Sequence, residues 1–160
     1  MLRLIGLAIP FCLTLPISGL QEPVSKPNFS GSWQLDTTKS KTDIKEDLVW
    51  KIDQKSGDIA IEEISLGKST CNAKCAIGKS CDFDDNGRKM TAMTYFLDTT
   101  LVQMRSASDN STVVKRHLKI EADGSMRVEQ ITIVPSDKTD VLVFTKKKPE
   151  AAELKPVVRQ

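Results

Sequence analysis

The feature that most constrains this chain is a two-residue alternation of apolar and polar side chains, which recurs between residues 28 and 146. The alternation places these apolar residues on one face of successive segments: Trp33 and Leu35, then Leu48, Trp50 and Ile52, then Ile59 and Ile61. Successive side chains of a β-strand point to opposite faces. Each segment therefore predicts a strand with one buried face and one solvated face.

Turn signals separate these segments. They occur at 55–57, 77–79, Asn86-Gly87, Asp98-Thr99, Asp109-Asn110, Asp123-Gly124 and 136–138. Their spacing is close to the 8–12 residues that are typical of antiparallel β-proteins, and it predicts about nine strands. A meander hides its edge strands most simply by closing on itself. The sequence therefore predicts an all-β fold, a single antiparallel up-and-down β-barrel of about 8–10 strands, with a β-sandwich as the alternative.

The N-terminus has the layout of a secretory signal peptide. Arg3 precedes an uncharged apolar run at 4–17, and the small residues Ser18 and Gly19 follow. A run of this length falls short of the roughly 20 residues that span a bilayer as a helix. We therefore predict a signal peptide at 1–19, a secreted or periplasmic protein, and no stable membrane insertion after cleavage.

The rest of the chain divides into three parts. Residues 20–27 form a proline-containing leader, residues 28–146 carry the alternation, and residues 147–160 lack it and contain two prolines. This pattern predicts a leader, one β-barrel domain and a flexible tail.

Composition excludes several classes of function. The 160 residues have a formal net charge of +2, without the basic excess of a nucleic-acid-binding protein. The chain has one histidine, His117, which excludes a multi-histidine metal site, and it lacks a Gly-rich phosphate loop and a Gly-x-Ser-x-Gly elbow. We therefore expect no enzyme activity, no cofactor, no metal site and no nucleic-acid partner.

Three cysteines remain after removal of the signal peptide with Cys12. A disulfide could join Cys75 to Cys81 across the turn at 77–79, or Cys71 to Cys81. Either pairing leaves one thiol free. We expect a monomer, with a disulfide-linked dimer through the free cysteine as an alternative.

One short motif resembles a known family. The segment Phe29–Leu35 contains Gly31-x-Trp33, which is similar to the first-strand motif of the lipocalin and fatty-acid-binding (calycin) families. The segments 101–103, 113–116 and 141–146 follow the order of the last strands of fatty-acid-binding proteins. The chain most closely resembles small exported bacterial lipocalin-like proteins. The resemblance implies a lipocalin-like barrel in which Gly31 and Trp33 are structural and the indole plugs one end.

The sequence departs from the fatty-acid-binding proteins at two places. Their last strand carries an Arg-x-Tyr pair that grips a carboxylate, and the matching stretch here reads Leu142-Val143-Phe144. Their two-helix lid is also hard to fit into the polar segment 37–47, which has room only for a short helix or an irregular connection.

Four residues are candidates for ligand binding. Arg116 lies on the apolar face of its strand, where an unpaired charge is expensive. It could pair with an internal acid such as Glu129, extend its charged end out of the barrel mouth, or bind the acid group of a ligand. Trp50, Met93 and Met104 could supply apolar walls. We therefore predict an exported barrel that binds a small apolar or amphipathic ligand. The alternative is an envelope or secreted protein-interaction module with a filled barrel and no ligand.

Overall fold

The computed structural model describes residues 25–44 and 47–147. The predicted signal peptide (1–19), most of the leader and nearly all of the tail lie outside the described residues. The ten strands are β1 Gly31–Leu35, β2 Leu48–Gln54, β3 Asp58–Ser65, β4 Lys68–Ala76, β5 Ser80–Asp85, β6 Arg88–Leu97, β7 Thr100–Ala107, β8 Val113–Ile120, β9 Met126–Val134 and β10 Lys138–Lys146. Within the described ranges, no helix has the length and apolar character needed to cross a membrane.

The strands form a closed antiparallel barrel in which each strand pairs with its neighbours in sequence. The first and last strands close it, with Trp33 opposite Lys146 and Leu35 opposite Phe144. This confirms the predicted up-and-down barrel and excludes the β-sandwich alternative.

The structure has one strand more than the nine that the turn signals predict. The extra strand arises because the chain reverses at Leu66-Gly67, between β3 and β4. Leu66 adopts a φ of 50° and Gly67 a φ of 74° there. An apolar residue in the left-handed region is uncommon, so this turn carries little sequence signal. Asn86, Asp98 and Asn110, which have the same backbone conformation, lie at turns that the sequence does predict.

The inward faces of the strands form two apolar clusters. One cluster, which we call the aromatic end, fills the part of the barrel where the chain enters β1 and leaves β10. Its members are Phe29, Trp33, Leu35, Leu48, Trp50, Ile52, Ile59, Ile61, Leu101, Leu118, Met126, Val128, Leu142 and Phe144. The second cluster lies along β4 to β7 and consists of Cys71, Ala73, Cys75, Phe83, Met90, Ala92 and Ala107.

The short β1 determines where the barrel is open. Its last residue pairs with Phe144, so the earlier half of β10 has no partner in β1. The following connection partly takes its place, through an isolated bridge between Lys41 and Val141. Residues 37–44 contain turns and no helix, so the described part of the connection is irregular. A two-helix lid is absent from these residues.

Cys75 and Cys81 form a disulfide, with their Cα atoms 5.3 Å apart. The alternative pairing of Cys71 with Cys81 is therefore wrong: Cys71 is a buried free thiol. A disulfide between two molecules through Cys71 would require the barrel to open, because its side chain is inside the barrel.

Candidate functional site

A row of polar side chains crosses the interior on five adjacent strands. In order from β10 to β6, the row consists of Asp140, Gln130, Arg116, Gln103 and Thr94, each directly opposite the next. Cross-strand neighbours on one face lie close enough to interact. The row therefore forms a polar belt above the aromatic end.

Arg116 is the centre of this belt. Its Nη1 donates to Glu63 Oε1 at 2.6 Å and its Nη2 donates to Glu63 Oε2 at 3.2 Å, which makes the pair bidentate. Its Nε donates to Gln130 Oε1 at 2.8 Å, and Nη1 also approaches Gln103 Oε1 at 3.4 Å. The guanidinium lies 4.7 Å from the ring centroid of Trp50. Every edge of the guanidinium is thus engaged by the protein.

Arg105 is a second buried cation beside the first. Its Nη1 donates to Glu63 Oε1 at 2.6 Å, and its Nη2 donates to Asp85 Oδ2 at 2.6 Å. Cys71 Sγ lies 3.4 Å from the same Nη2, and the ring centroid of Phe83 is 4.8 Å from the guanidinium. Glu63 therefore bridges two arginines. We call Glu63, Asp85, Gln103, Arg105, Arg116 and Gln130 the polar cluster.

The pKa values of Glu63 and of the neighbouring Cys71 are shifted in opposite directions. Burial acts to raise the pKa of Glu63, but attraction to Arg116 and Arg105 outweighs it and lowers the pKa to about 2. Burial raises the pKa of the adjacent Cys71 thiol to about 12. Glu63 is therefore a carboxylate at neutral pH, and Cys71 is a neutral thiol with little nucleophilic character.

A cavity of about 540 Å³ lies at the open end of the barrel, above the polar cluster. It is lined by Thr42, Asp43, Ile44, Leu48, Glu63, Ser65, Gln130, Lys138 and Asp140. Its rim contains an ion-pair bridge, in which Lys138 Nζ lies 2.8 Å from Asp43 Oδ2 and 3.2 Å from Asp140 Oδ1. This bridge ties the β1–β2 connection to the start of β10.

The structure separates the four predicted ligand-binding residues into two pairs. Trp50 and Arg116 point inward and touch each other next to the cavity. Met93 and Met104 are paired across β6 and β7 on the outer face, and Met93 is 40% exposed. The two methionines therefore do not line the interior. Both faces of β6 and β7 carry apolar residues, so alternation alone does not identify which face is inside.

The prediction of Glu129 as the internal partner of Arg116 is wrong. Glu129 lies on the outer face, where its Oε2 is 3.3 Å from His117 Nδ1, and Arg116 pairs with Glu63 instead. These two outer residues line a shallow groove of about 270 Å³ at the other end of the barrel, with Leu97, Thr100, Lys119 and Arg127.

Sequence reasoning missed most of the polar cluster, although a signal for it exists. Each member is a polar residue at an inward position of a strand that also carries apolar inward residues. Glu63 follows Ile59 and Ile61 on β3 with the same spacing, and Gln130 follows Val128 on β9. Arg116 is selected because it is a charged residue on the apolar face of its strand. The same criterion, extended to all polar residues, identifies Glu63 and Gln130.

No protein-family model matches the sequence, and none of the curated proteins searched matches it significantly. Solved structures do match. The structure titled REP1-NXSQ fatty acid transporter has a TM-score of 0.61 at 15% identity, over 76% of this chain and 97% of that chain. Apo lipid binding protein 8 of Caenorhabditis elegans has a TM-score of 0.60 at 12% identity, over 74% of this chain and 95% of that chain. The chain therefore has the same lipocalin-like barrel fold as these two proteins.

Proposed function

We propose that this protein is exported and binds a small apolar or amphipathic molecule in the cavity at the open end of its barrel. The cavity carries the proposal. Its volume of about 540 Å³ falls within the range of roughly 300–1,000 Å³ that small-molecule sites occupy. Its wall is mixed: Ile44 and Leu48 are apolar, and the other seven lining residues are polar or charged, so an amphipathic molecule fits it better than a purely apolar one.

Two further observations support the proposal. The solved structures with the same fold include a fatty acid transporter and a lipid binding protein by their titles. Disulfides persist in oxidising compartments, so the Cys75–Cys81 bridge is consistent with export. The role proposed is binding without a catalytic step, since the polar cluster presents an ionised Glu63 already held by two arginines.

Ligand binding can be tested with the full-length protein produced in an export-competent host. Solvent extraction followed by mass spectrometry would identify any co-purified amphiphile. Titration with N-phenyl-1-naphthylamine, an uncharged apolar fluorophore, should give saturable binding with a stoichiometry of one.

A matched pair of variants locates the binding site. Thr42→Trp places a large side chain in the cavity wall and should abolish fluorophore binding. Thr100→Trp makes the same change in the outer groove at the other end of the barrel and should leave binding intact. Equal binding by both variants, or no binding by the wild type, would contradict the proposal.

The second candidate function is a protein-interaction module with no ligand. It is favoured by the filling of the rest of the barrel, where residues such as Trp33, Leu118 and Phe144 are fully buried. A wild-type protein that yields no extracted amphiphile and binds no fluorophore would favour this function.

A further inference from the structure

We infer that the cavity selects amphiphiles with an uncharged, hydrogen-bonding head group and excludes fatty-acid carboxylates. This inference rests on the proposed ligand-binding function and adds the chemical class of the ligand. It follows from how the charges in and around the cavity are already paired.

The positive charges of the two buried arginines are already neutralised by carboxylates of the protein. Glu63 accepts from both Arg105 and Arg116, and Asp85 accepts from Arg105, so two carboxylates neutralise two guanidiniums. A ligand carboxylate could reach an arginine only by displacing Glu63. That exchange would leave a second carboxylate buried without a partner, which is strongly unfavourable.

The rim of the cavity also opposes an anion. Asp43 and Asp140 both contact the ammonium group of Lys138, so the cation of this rim is already held by two carboxylates of the protein. A ligand carboxylate could reach that ammonium group only by displacing one of the two carboxylates. A ligand ammonium group finds no unpaired carboxylate at Glu63 either, because both arginines already hold it, so neither sign of charge is well accommodated.

The remaining polar groups of the wall suit an uncharged head group. Thr42 presents a hydroxyl group, and Gln130 presents an amide. The Gln130 oxygen accepts from Arg116, which leaves the amide N–H groups to donate to a ligand oxygen. Trp50, directly opposite Glu63, has a buried indole N–H without an acceptor among the described residues. A hydroxyl or ester oxygen would be a suitable acceptor for such donors, because an unsatisfied buried N–H is costly.

A competition series tests the head group while the alkyl chain stays constant. Dodecanol, monododecanoylglycerol, dodecanoate and dodecylamine would each displace N-phenyl-1-naphthylamine from the wild-type protein at neutral pH. We expect the alcohol and the monoacylglycerol to bind at least roughly tenfold more tightly than dodecanoate, a difference of about 1.4 kcal/mol. Equal or tighter binding of dodecanoate or dodecylamine would overturn the inference.

A single substitution should then change the preference. Glu63→Gln keeps the shape of the side chain but frees the positive charge of Arg105 and Arg116, so the affinity for dodecanoate relative to dodecanol should rise roughly tenfold. Glu62→Gln is the matched control: its side chain pairs with Lys51 on the outer face, and it should behave like the wild type. No gain for dodecanoate in a folded Glu63→Gln protein would contradict the inference.

The two proposals fail in different ways. If the wild type binds neither the fluorophore nor any of the four competitors, the proposed function is wrong. If it binds the fluorophore and dodecanoate competes best, the binding function stands and the inferred head-group class is wrong. The wild-type series does not depend on whether the Glu63→Gln protein folds.

Discussion

The aromatic end and the polar cluster occupy the same barrel but use its interior in different ways. At the aromatic end, Trp33 and Phe144 are almost fully buried, and the indole N–H of Trp33 donates to the Phe29 carbonyl at 2.8 Å. In the polar cluster, Arg105 and Arg116 are also buried, and carboxylates balance their charges. Trp50 lies where the two regions meet. Its ring centroid is 4.8 Å from that of Phe144 and 4.7 Å from the guanidinium of Arg116.

The two regions contribute differently to the stability of the folded barrel. Packed aromatic rings lower the free energy of the folded state in proportion to the apolar area that they bury. A buried ion-pair cluster adds little net stability compared with apolar residues of the same volume. The polar cluster therefore stabilises the barrel less than apolar residues of the same volume would, and its place beside the cavity is in keeping with the proposed selection of a ligand.

Phe144→Ala should have the largest effect on stability. It removes a fully buried ring from the aromatic end and leaves a cavity, at a cost of about 3–5 kcal/mol in the free energy of unfolding. Urea unfolding followed by circular dichroism would measure it. The neighbouring Val143→Ala, on the outer face of β10, serves as the control and should cost far less. A small loss for Phe144→Ala would show that the aromatic end does not dominate stability.

The second largest effect on stability is expected from acid, which should weaken the ion pairs of the polar cluster. Because the pKa of Glu63 falls from 4.5 to about 2 on folding, its contribution is complete above pH 4.5 and is lost as the pH falls towards 2. The shift corresponds to about 3 kcal/mol. Unfolding free energies measured across this range should show the loss in the wild type and a smaller loss in Glu63→Gln. Parallel profiles for the two proteins would show that Glu63 is not the group responsible.

Loss of the disulfide should have a somewhat smaller effect. Replacing both Cys75 and Cys81 with serine removes the cross-link of a short loop, at a cost of about 2 kcal/mol. Thermal unfolding with and without a reducing agent would measure it. The reductant should lower the Tm of the wild type and leave the double variant unchanged. A wild type that is insensitive to reduction would contradict this expectation.

The smallest effect is expected on the outer face. Met93→Gln and Met104→Gln alter side chains that touch neither region of the interior, so each should change stability by within about 0.5 kcal/mol and leave fluorophore affinity unchanged. A loss of binding in either variant would restore these methionines as candidates for the ligand site.

The fold was largely readable from the sequence, because alternation and turn residues are local signals. The hairpin at Leu66-Gly67 was the exception, since an apolar residue occupies a strained backbone position there. The site was only partly readable. Arg116 could be placed inside the barrel from its neighbours on β8, but its partner Glu63 lies 53 residues away in the chain. Which acid meets which arginine depends on strand tilt and closure, which no local pattern encodes.

The junction between β4 and β5 has a consequence for how the barrel comes apart. Their ladder contains a single register pair, Cys71 opposite Asp85, in contrast to the six pairs between β5 and β6. Amide protons along this seam should therefore exchange with solvent earlier than those elsewhere in the sheet. The Cys75–Cys81 bond joins the two strands at the hairpin end of this seam. Under reducing conditions this hairpin would be the first part of the barrel wall to separate. The closed barrel should therefore be more stable in an oxidising environment than in a reducing one.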